Sequence, residues 1–360
     1  MEDNNNEPEK DENAFEDPIN KALSDPETPL SSRPPVEPSK FGAPRVDLSL
    51  LNSKVGAARI EIGKYLIGQH EMVDLLLIGL FCGGHVLLEG VPGVAKTLTA
   101  KVLSKTLSVD FSRIQFTPDL MPSDIIGTSV YNLKSGEFLF KKGPIFTNIA
   151  LIDEINRAPA KTQAALFEVM EERQITYDGV QYDLDFPFLV IATQNPIEQE
   201  GTYRLPEAQL DRFLFKVNLH YPTLEEEKEI LIRFRNKHDI DLENVQSLFS
   251  KIELKAIQKS IEQVTLDESL VTYIANITHE TRSHGKLYLG GSPRASLSMM
   301  KASKAIAAMR GRDFVLPDDV QYVAFHVLNH RIILTPEAEM EGMDATIIIQ
   351  EIIQKVEVPR

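Results

Sequence analysis

Short apolar runs alternate with amphipathic helical stretches through the first two thirds of the chain. The runs are almost continuously apolar or β-branched and lie at residues 85–88, 113–116, 149–152, 188–192 and 213–217. Strands buried on both faces of a parallel sheet have this composition. Stretches with helical periodicity, at 95–107 and 160–173, lie between the runs. This alternation predicts an α/β fold with a doubly wound parallel sheet.

Helical periodicity dominates on either side of this region. Two helices are predicted before the first strand, at 48–66 and 72–81. After residue 220 we identify no convincing strand, and the predicted helices are 224–235, 254–263, 267–283, 294–310, 318–328 and 344–355. We therefore predict an α/β domain over residues 46–220 and an all-α second domain over 221–360.

The first 45 residues have a different composition. They contain 11 acidic and 5 basic residues and 8 of the 21 prolines, with few apolar positions and no period. Such a composition cannot bury enough apolar surface to form a core, so we predict a disordered acidic tail. The tail could serve only as a solubilising segment, which is the simpler reading, or as a docking segment for a partner.

Composition limits the cellular setting and the partners. No apolar run approaches the roughly 20 residues of a membrane-spanning helix, and the N-terminus has no signal-peptide pattern. The single cysteine, Cys82, cannot form an internal disulfide, so we expect a cytoplasmic protein without a membrane span. The formal net charge of −15 disfavours binding to nucleic acid, which depends on clustered Lys and Arg.

A glycine-containing loop joins the first predicted strand to the helix at 95–107. Residues 90–97 read GVPGVAKT, close to the phosphate-binding pattern GxxxxGK[ST] in its strand–loop–helix context. Backbone N–H groups and the helix N-terminus can bind phosphate there, with Lys96 reaching the β- and γ-phosphates and Thr97 binding Mg²⁺. The predicted ATP-binding residues are Gly90, Val91, Pro92, Gly93, Val94, Ala95, Lys96, Thr97 and Leu98.

Ala95 departs from this pattern, which has glycine at the corresponding position. Because alanine resists a positive φ, we expect the loop there to be either right-handed or slightly strained.

Two acidic residues end the third predicted strand. In the sequence ALIDE, Asp153 is expected to hold Mg²⁺, and Glu154 to accept a proton from the attacking water. Read alone, the pair could be two solvated acids, but together with the phosphate loop it predicts a metal–ATP site.

Three further polar residues lie at the ends of predicted elements: Asn195 follows a strand, Arg212 precedes one and Arg294 begins a helix. Asn195, in VIATQNP, could position water against the γ-phosphate, or it could simply form an Asn-Pro turn. Arg212, in LPEAQLDRF, could stabilise phosphoryl transfer in a neighbouring subunit, or pair on the surface with Asp211 or Glu207. Arg294, in GGSPRAS, lies in the first turn of a helix, where a cation opposes the dipole; this suggests a role towards a ligand.

With these motifs in this order, residues 46–360 resemble the MoxR family of AAA+ ATPases. The most specific stretches are GGHVLLEGVPGVAKT, ALIDEINRAPAKTQAALFEVMEE, FLVIATQNPIEQEGTYRLPEAQLDRF and GGSPRAS. The resemblance implies a parallel AAA+ sheet domain followed by a helical lid. It also implies a helix-2 insert at about 118–142 and a pre-sensor-1 hairpin at about 175–185, and both segments read as two strands around a turn.

The resemblance implies a role for each motif. Lys96 and Thr97 would be Walker A, Asp153 and Glu154 Walker B, Asn195 sensor 1, Arg212 the arginine finger and Arg294 sensor 2, while Ile67 and Gly68 would lie beside the adenine. It further implies a homo-oligomeric ring, typically a hexamer, in which Arg212, and often Arg294, act across the subunit boundary. Family members are thought to remodel or mature partner proteins, often proteins with a von Willebrand factor A domain.

Three functions remain in competition at this point. The leading hypothesis is an ATP-driven remodeller of protein substrates, because a complete set of catalytic parts is present. The second is a nucleotide-gated scaffold that hydrolyses little ATP, which only Ala95 supports. The third is a nucleic-acid motor, suggested by Lys134, Lys141 and Lys142 in the insert and disfavoured by the net charge.

Overall fold

The computed structural model describes residues 46–91, 93–134, 136–195, 203–235 and 241–359, apart from the side chain of Phe234. The predicted acidic tail and Pro92 lie outside the described residues. The strands are β1 (Val86–Gly90), β2 (Phe111–Gln115), β3 (Gly127–Asn132), β4 (Glu137–Lys142), β5 (Ile149–Asp153), β6 (Gln174–Tyr177), β7 (Val180–Asp183), β8 (Leu189–Gln194), β9 (Phe215–Leu219), β10 (Leu287–Leu289) and β11 (Ile333–Leu334).

Helices flank these strands throughout the described residues. They are α1 (Ser49–Gly63), α2 (His70–Phe81), α3 (Lys96–Leu107), α4 (Pro122–Ile126), α5 (Ala160–Glu172), α6 (Glu207–Leu210), α7 (Leu224–Phe234), α8 (Lys251–Glu262), α9 (Glu268–Ser283), α10 (Pro293–Met309), α11 (Pro317–Leu328), α12 (Pro336–Met340) and α13 (Ala345–Lys355), with a 3₁₀ turn at Ile155–Arg157.

The five strands predicted from apolar runs form one parallel sheet in the order β2-β5-β8-β1-β9. β5 is buried at every position, and β8 is buried at every position except its last, as expected for central strands covered on both faces. Alternate residues of β1 face opposite sides of the sheet. Val86 and Leu88 join one hydrophobic cluster with α1 to α3 and the later helices, while Leu87 joins a second cluster under α5.

Two antiparallel hairpins project from this domain at the predicted places. β3 pairs with β4, and β6 pairs with β7. The hairpins contact each other through Phe140, whose ring lies 4.7 Å from those of Tyr177 and Tyr182. The first hairpin leaves Leu133 and Phe138 exposed near its turn.

The region after β9 is helical, as predicted, with one departure. β10 and β11 form a short antiparallel sheet, which we did not predict because strands of three and two residues carry no detectable alternation. Side-chain caps define several helix starts: Thr223 accepts from the backbone of α7, Ser250 from α8 and Ser292 from α10. No helix within the described ranges is long and apolar enough to cross a membrane.

Candidate nucleotide site and arginine cluster

The predicted phosphate loop connects β1 to α3 at the carboxyl edge of the sheet. Lys96 is the first residue of α3, and its ammonium donates a hydrogen bond of 2.6 Å to the carbonyl of Gly90 at the end of β1. A Cβ on Gly90 would lie 2.7 Å from the carbonyl oxygen of Leu219, so glycine is required there by close packing against β9. The loop therefore wraps around the Lys96 side chain, with Thr97 half-buried in the first helical turn.

Ala95 resolves the two alternatives left open by its sequence. It adopts a left-handed conformation with φ 58° and ψ 21°, and Gly93 has φ +91°. Alanine in this region costs roughly 1–2 kcal/mol relative to the right-handed conformation. The loop is therefore strained at Ala95, and the right-handed alternative is wrong. The backbone N–H groups of a loop with this shape can converge on an anion.

Asp153 ends β5, beside β2 and β8. The residue is buried, with its side chain 11% exposed. One carboxylate oxygen accepts a hydrogen bond from the Thr193 hydroxyl at 3.3 Å, and the other binds Nε of Arg113 at 2.6 Å. Arg113 is half-exposed and lies on the neighbouring strand β2. The carboxylate that is predicted to hold Mg²⁺ therefore also forms an ion pair with a guanidinium.

This set of donors fits a magnesium ion. Mg²⁺ in nucleotide sites is usually bound through one or two protein oxygens together with substrate phosphates and water. Asp153 provides a buried carboxylate, and Thr97 provides a hydroxyl in the first turn after the phosphate loop.

Glu154 directly follows β5 and has a left-handed backbone, with φ 58°. Its backbone N–H donates to the Thr193 hydroxyl at 3.0 Å, which links the ends of β5 and β8. Its carboxylate accepts a hydrogen bond from the Gln115 side chain at 2.7 Å and forms an ion pair with Arg157 at 3.1 Å. The predicted general base is therefore engaged by two side chains.

Burial and nearby carboxylates act in opposite directions on the pKa of Lys96, and burial has the larger effect. Burial lowers the pKa of Lys96, whereas the carboxylates of Asp153, Glu89 and Glu154 act in the opposite direction. Each of these acids also forms an ion pair with another cation: Asp153 with Arg113, Glu154 with Arg157 and Glu89 with Lys216. A bound metal ion would add further positive charge for phosphate.

Three other residues were predicted at this site: Asn195, Ile67 and Gly68. Asn195 follows β8 directly, at the same edge, and is half-buried. Gly68, with φ +75°, lies against α7, because a Cβ there would be 2.2 Å from a carboxylate oxygen of Glu226. The segment that contains Ile67 and Gly68 therefore lies where the sheet domain meets the later helices, and its contact with adenine stays a prediction.

Arg212 and Arg294 meet at one carboxylate. Arg212 donates to the carbonyl of Phe167 at 2.9 Å and lies 3.4 Å from Oε2 of Glu171. Arg294 donates to Oε1 of the same Glu171 at 2.9 Å. The sequence had suggested Asp211 or Glu207 as the surface partner of Arg212, but its carboxylate partner is Glu171. We refer to Glu171, Arg212 and Arg294 as the arginine cluster.

The arginine cluster lies at the amino edge of the sheet, away from the phosphate loop. Arg212 precedes β9, whose first residue, Phe215, is in register with Val86 at the start of β1. The last residue of α5 is followed by Arg173, whose guanidinium binds the carbonyl of Gly83, just before β1. The five residues of β9 separate the two edges by about 13 Å. The cluster and the phosphate loop are therefore on opposite sides of one subunit.

A buried arginine ties the segment containing Arg212 to the later helices. Arg331 is 6% exposed and binds the Asp211 carboxylate at 2.7 Å as well as the backbone carbonyls of Asp211, Phe213 and Leu214. Asp211 also accepts a hydrogen bond of 2.9 Å from Ser292, the cap of α10. One carboxylate thus joins the backbone beside Arg212 to the helix that contains Arg294.

Several residues of the site were not identified from sequence. Gln115 and Arg113 lie on a strand whose sequence shows no motif, and Glu171 lies in an ordinary amphipathic helix. The only available signal was Glu171 in the last turn of α5, where a negative charge opposes the helix dipole.

Comparisons with known proteins agree with this architecture. Residues 85–215 match the ATPase family associated with various cellular activities (AAA), and residues 279–352 match the AAA lid domain. YeaC of Bacillus subtilis, described as uncharacterised, is 47% identical over 86% of this chain and 96% of its own length. Chaperone MoxR1 of Mycobacterium tuberculosis is 44% identical over 84% of this chain and 82% of its own length.

A solved structure is similar to this chain in both fold and sequence. The crystal structure of a candidate ATPase from Cytophaga hutchinsonii superimposes with a TM-score of 0.81, at 47% identity, over 87% of this chain and 97% of that one. These relatives, together with the nucleotide-binding loop, the parallel sheet and the helical lid, place the chain in the MoxR family of AAA+ ATPases.

Proposed function

We propose that this protein hydrolyses ATP at sites shared between adjacent subunits of a homo-oligomeric ring and uses that energy to remodel or mature partner proteins. The observation that carries the proposal is the separation of one subunit's catalytic parts. The phosphate loop and the two acids lie at the carboxyl edge of the sheet, whereas Arg212 and Arg294 lie together at the amino edge. A complete site then requires two subunits.

On the carboxyl edge, each residue has a definite chemical task. Lys96 and the loop N–H groups would bind the β- and γ-phosphates. Thr97 and Asp153 would hold Mg²⁺, which when bound neutralises phosphate charge. Glu154 would accept a proton from the attacking water, and Asn195 would orient that water.

On the amino edge, the two arginines would supply positive charge to a neighbour's γ-phosphate. Phosphoryl transfer concentrates negative charge on the transferred group, and an arginine from a neighbouring chain can stabilise that charge strongly. Because Arg212 and Arg294 converge on Glu171, they are presented together from one surface. This supports a ring, for which we favour six subunits, as is typical of the family.

We propose that the partners are other proteins. A relative is named as a chaperone, which supports protein substrates for this chain. Proteins with a von Willebrand factor A domain are the first class to test, since the family resemblance implies partners of that class. We also propose that the protein is cytoplasmic, because its one cysteine is unpaired and the cytoplasm keeps thiols reduced.

Two measurements test the hydrolytic part. Glu154→Gln should lower steady-state ATP turnover by about 10²–10⁴-fold, the usual range for loss of a general base. Arg212→Ala/Arg294→Ala subunits, mixed with Glu154→Gln subunits, should regain turnover that neither variant shows alone. Equal turnover of wild type and Glu154→Gln would exclude hydrolysis at this site, and an inactive mixture would exclude sharing between subunits.

A nucleotide-gated scaffold with little hydrolysis is the second candidate, because a specific feature favours it. Both acids of the site are engaged by protein side chains, Asp153 by Arg113 and Glu154 by Gln115 and Arg157. If those contacts persisted with nucleotide bound, ATP would drive assembly without rapid turnover. Nucleotide-dependent assembly with turnover that no partner protein changes would support this candidate.

A further inference from the structure

Glu171 binds two arginines that come from different parts of the chain. Arg212 precedes β9 and Arg294 begins α10, yet each places a guanidinium nitrogen against a different oxygen of the Glu171 carboxylate, at 3.4 Å and 2.9 Å. Without that carboxylate, two positive groups held so close together would repel each other. Glu171 is therefore the group that allows them to be neighbours.

Neither charge is placed to stabilise its own helix. Glu171 lies in the last turn of α5, where the partial charge of the helix end is negative. Arg294 lies in the first turn of α10, where the partial charge is positive. Each charge is therefore unfavourable for its own helix, and it is stabilised only by the opposite charge on the other residue. The contact between them therefore explains two charges that local helix stability does not.

The backbones that carry the arginines are already fixed by other contacts. Asp211 accepts from the Ser292 cap and from buried Arg331, so the segment before Arg212 and the start of α10 are joined independently of Glu171. Glu171 adds the placement of the Arg294 guanidinium and, together with the Phe167 carbonyl at 2.9 Å, that of the Arg212 guanidinium. This separation of tasks means that removing the Glu171 charge should leave the fold intact.

The contacts are suited to exchange. The three side chains are 30–44% exposed, so solvent screens their ion pairs and keeps them weak. A surface depression lined in part by Phe167, Glu171, Glu172 and Arg212 leaves Glu171 and Arg212 open to an approaching group. A terminal phosphate carries more charge and more acceptor oxygens than a carboxylate, so it can take both guanidiniums from Glu171.

We propose that Glu171 is a positioning residue for hydrolysis in the neighbouring subunit: it holds Arg212 and Arg294 at the spacing of a single oxyanion, so that the neighbour's terminal phosphate meets both at once. The inference rests on the proposed sharing of sites between subunits. It assigns to Glu171 a role in the subunit that donates the arginines and none in the subunit that binds the reacting ATP.

Mixed rings test this assignment. The donor subunit carries Glu154→Gln, so it retains its arginines and binds nucleotide but hydrolyses it about 10²–10⁴-fold more slowly. The acceptor carries Arg212→Ala and Arg294→Ala, so it hydrolyses ATP only with a donor's arginines. Glu171→Gln is then added to either subunit, and kcat and KM for ATP are measured in each mixture. Glu172→Gln is the matched control, because Glu172 is also acidic, exposed and in the last turn of α5.

Glu171→Gln in the donor should lower kcat roughly 10- to 100-fold, the scale expected when catalytic groups lose their alignment. KM for ATP should stay within about twofold, because the residues that bind ATP belong to the acceptor. The same change in the acceptor, and Glu172→Gln in the donor, should leave kcat unchanged. A general effect on folding or assembly would instead reduce activity from either subunit.

The outcomes separate the two proposals. If the donor and acceptor are inactive together while both retain Glu171, the proposal of shared sites fails, and the role of Glu171 fails with it. If they are active and Glu171→Gln in the donor leaves kcat unchanged, raises it, or lowers it no more than in the acceptor, site sharing stands and the role of Glu171 is overturned.

Discussion

The side-chain amide of Gln115 donates a hydrogen bond of 2.7 Å to Oε2 of Glu154, joining the last residue of β2 to the residue that follows β5. The same oxygen forms an ion pair with Arg157 at 3.1 Å. A carboxylate that accepts these contacts is less available to take a proton from water. The two contacts thus restrain the residue that we expect to act as the general base.

Gln115→Ala should raise basal ATP turnover. Without Gln115, the restrained state of Glu154 loses the roughly 0.5–1.5 kcal/mol that one hydrogen bond contributes. Because less energy is then needed to release the carboxylate, turnover should be roughly twofold to tenfold faster. Steady-state turnover at saturating ATP, with wild type and variant at equal concentration, measures this. A variant that is slower than wild type would show that Gln115 supports catalysis rather than restraining it.

Arg113→Gln should lower the Mg²⁺ concentration needed for activity. Arg113 occupies the Asp153 carboxylate at 2.6 Å, so a metal ion must compete with it. The arginine side chain is 51% exposed and its ion pair is screened, so the gain should be modest, about twofold to fivefold in the Mg²⁺ midpoint.

Arg157→Gln is the control for this titration, because Arg157 forms its ion pair at 3.1 Å with the neighbouring acid, Glu154. Its Mg²⁺ midpoint should match that of wild type at saturating ATP. A shift of equal size in both variants would point to a general change in charge around the site rather than competition at Asp153.

Substitutions at Ala95 should report the strain in the phosphate loop. Because φ is 58°, Ala95→Val should destabilise the protein by about 1–2 kcal/mol, since a β-branched side chain is worse than alanine in this conformation. Ala95→Gly should stay within about 1 kcal/mol of wild type, as relief of strain is offset by the greater freedom of the unfolded chain. Urea unfolding measures both, and equal stability of the Val and Gly variants would contradict a left-handed Ala95.

Stability should fall as the pH falls from about 6.5 towards 4, because of a buried histidine. His85 accepts from the backbone N–H of Val190 and lies 3.0 Å from the carbonyl of Met170. Burial lowers the pKa of His85 to about 4, so the folded state keeps it neutral while the unfolded state binds a proton near pH 6.5. Stability is therefore full above pH 6.5 and is lost as the pH falls through this window.

Between pH 7 and pH 5 this one group should account for roughly 2 kcal/mol of lost unfolding free energy. Burial also lowers the pKa of His330, which adds in the same direction. Urea unfolding at several pH values should therefore show a shallower slope for His85→Gln than for wild type. An unchanged slope would mean that His85 is protonated in the folded protein.

Much of the fold follows from local patterns. The five parallel strands were predicted because each is a short, almost continuously apolar run, and these are the runs that the sheet buries on both faces. The two hairpins were implied by the family resemblance, and the turn residues between their strand-like segments agree with it. The paired strands β10 and β11 were missed, because so few residues show no period.

The nucleotide edge was also predictable, since its residues are adjacent in sequence or follow predicted strands. A phosphate loop needs only a strand, a turn and a helix start, and the carboxyl ends of parallel strands meet at one edge. Lys96, Asp153 and Glu154 therefore came from motifs alone. Gln115 and Arg113 did not, because their importance depends on β2 lying next to β5, and nothing in the sequence of β2 indicates its neighbour.

The sequence by itself determined the nucleotide-binding loop, the acidic strand end and the presence of two candidate arginines. Only the tertiary structure decided where those arginines lie and what holds them. Glu171 is separated from Arg212 by 41 residues and from Arg294 by 123, and it meets both because α5, the segment before β9 and α10 pack at the amino edge of the sheet. Local periodicity specifies helices and strands, but contacts between distant segments depend on how those elements pack, which no spacing along the chain encodes.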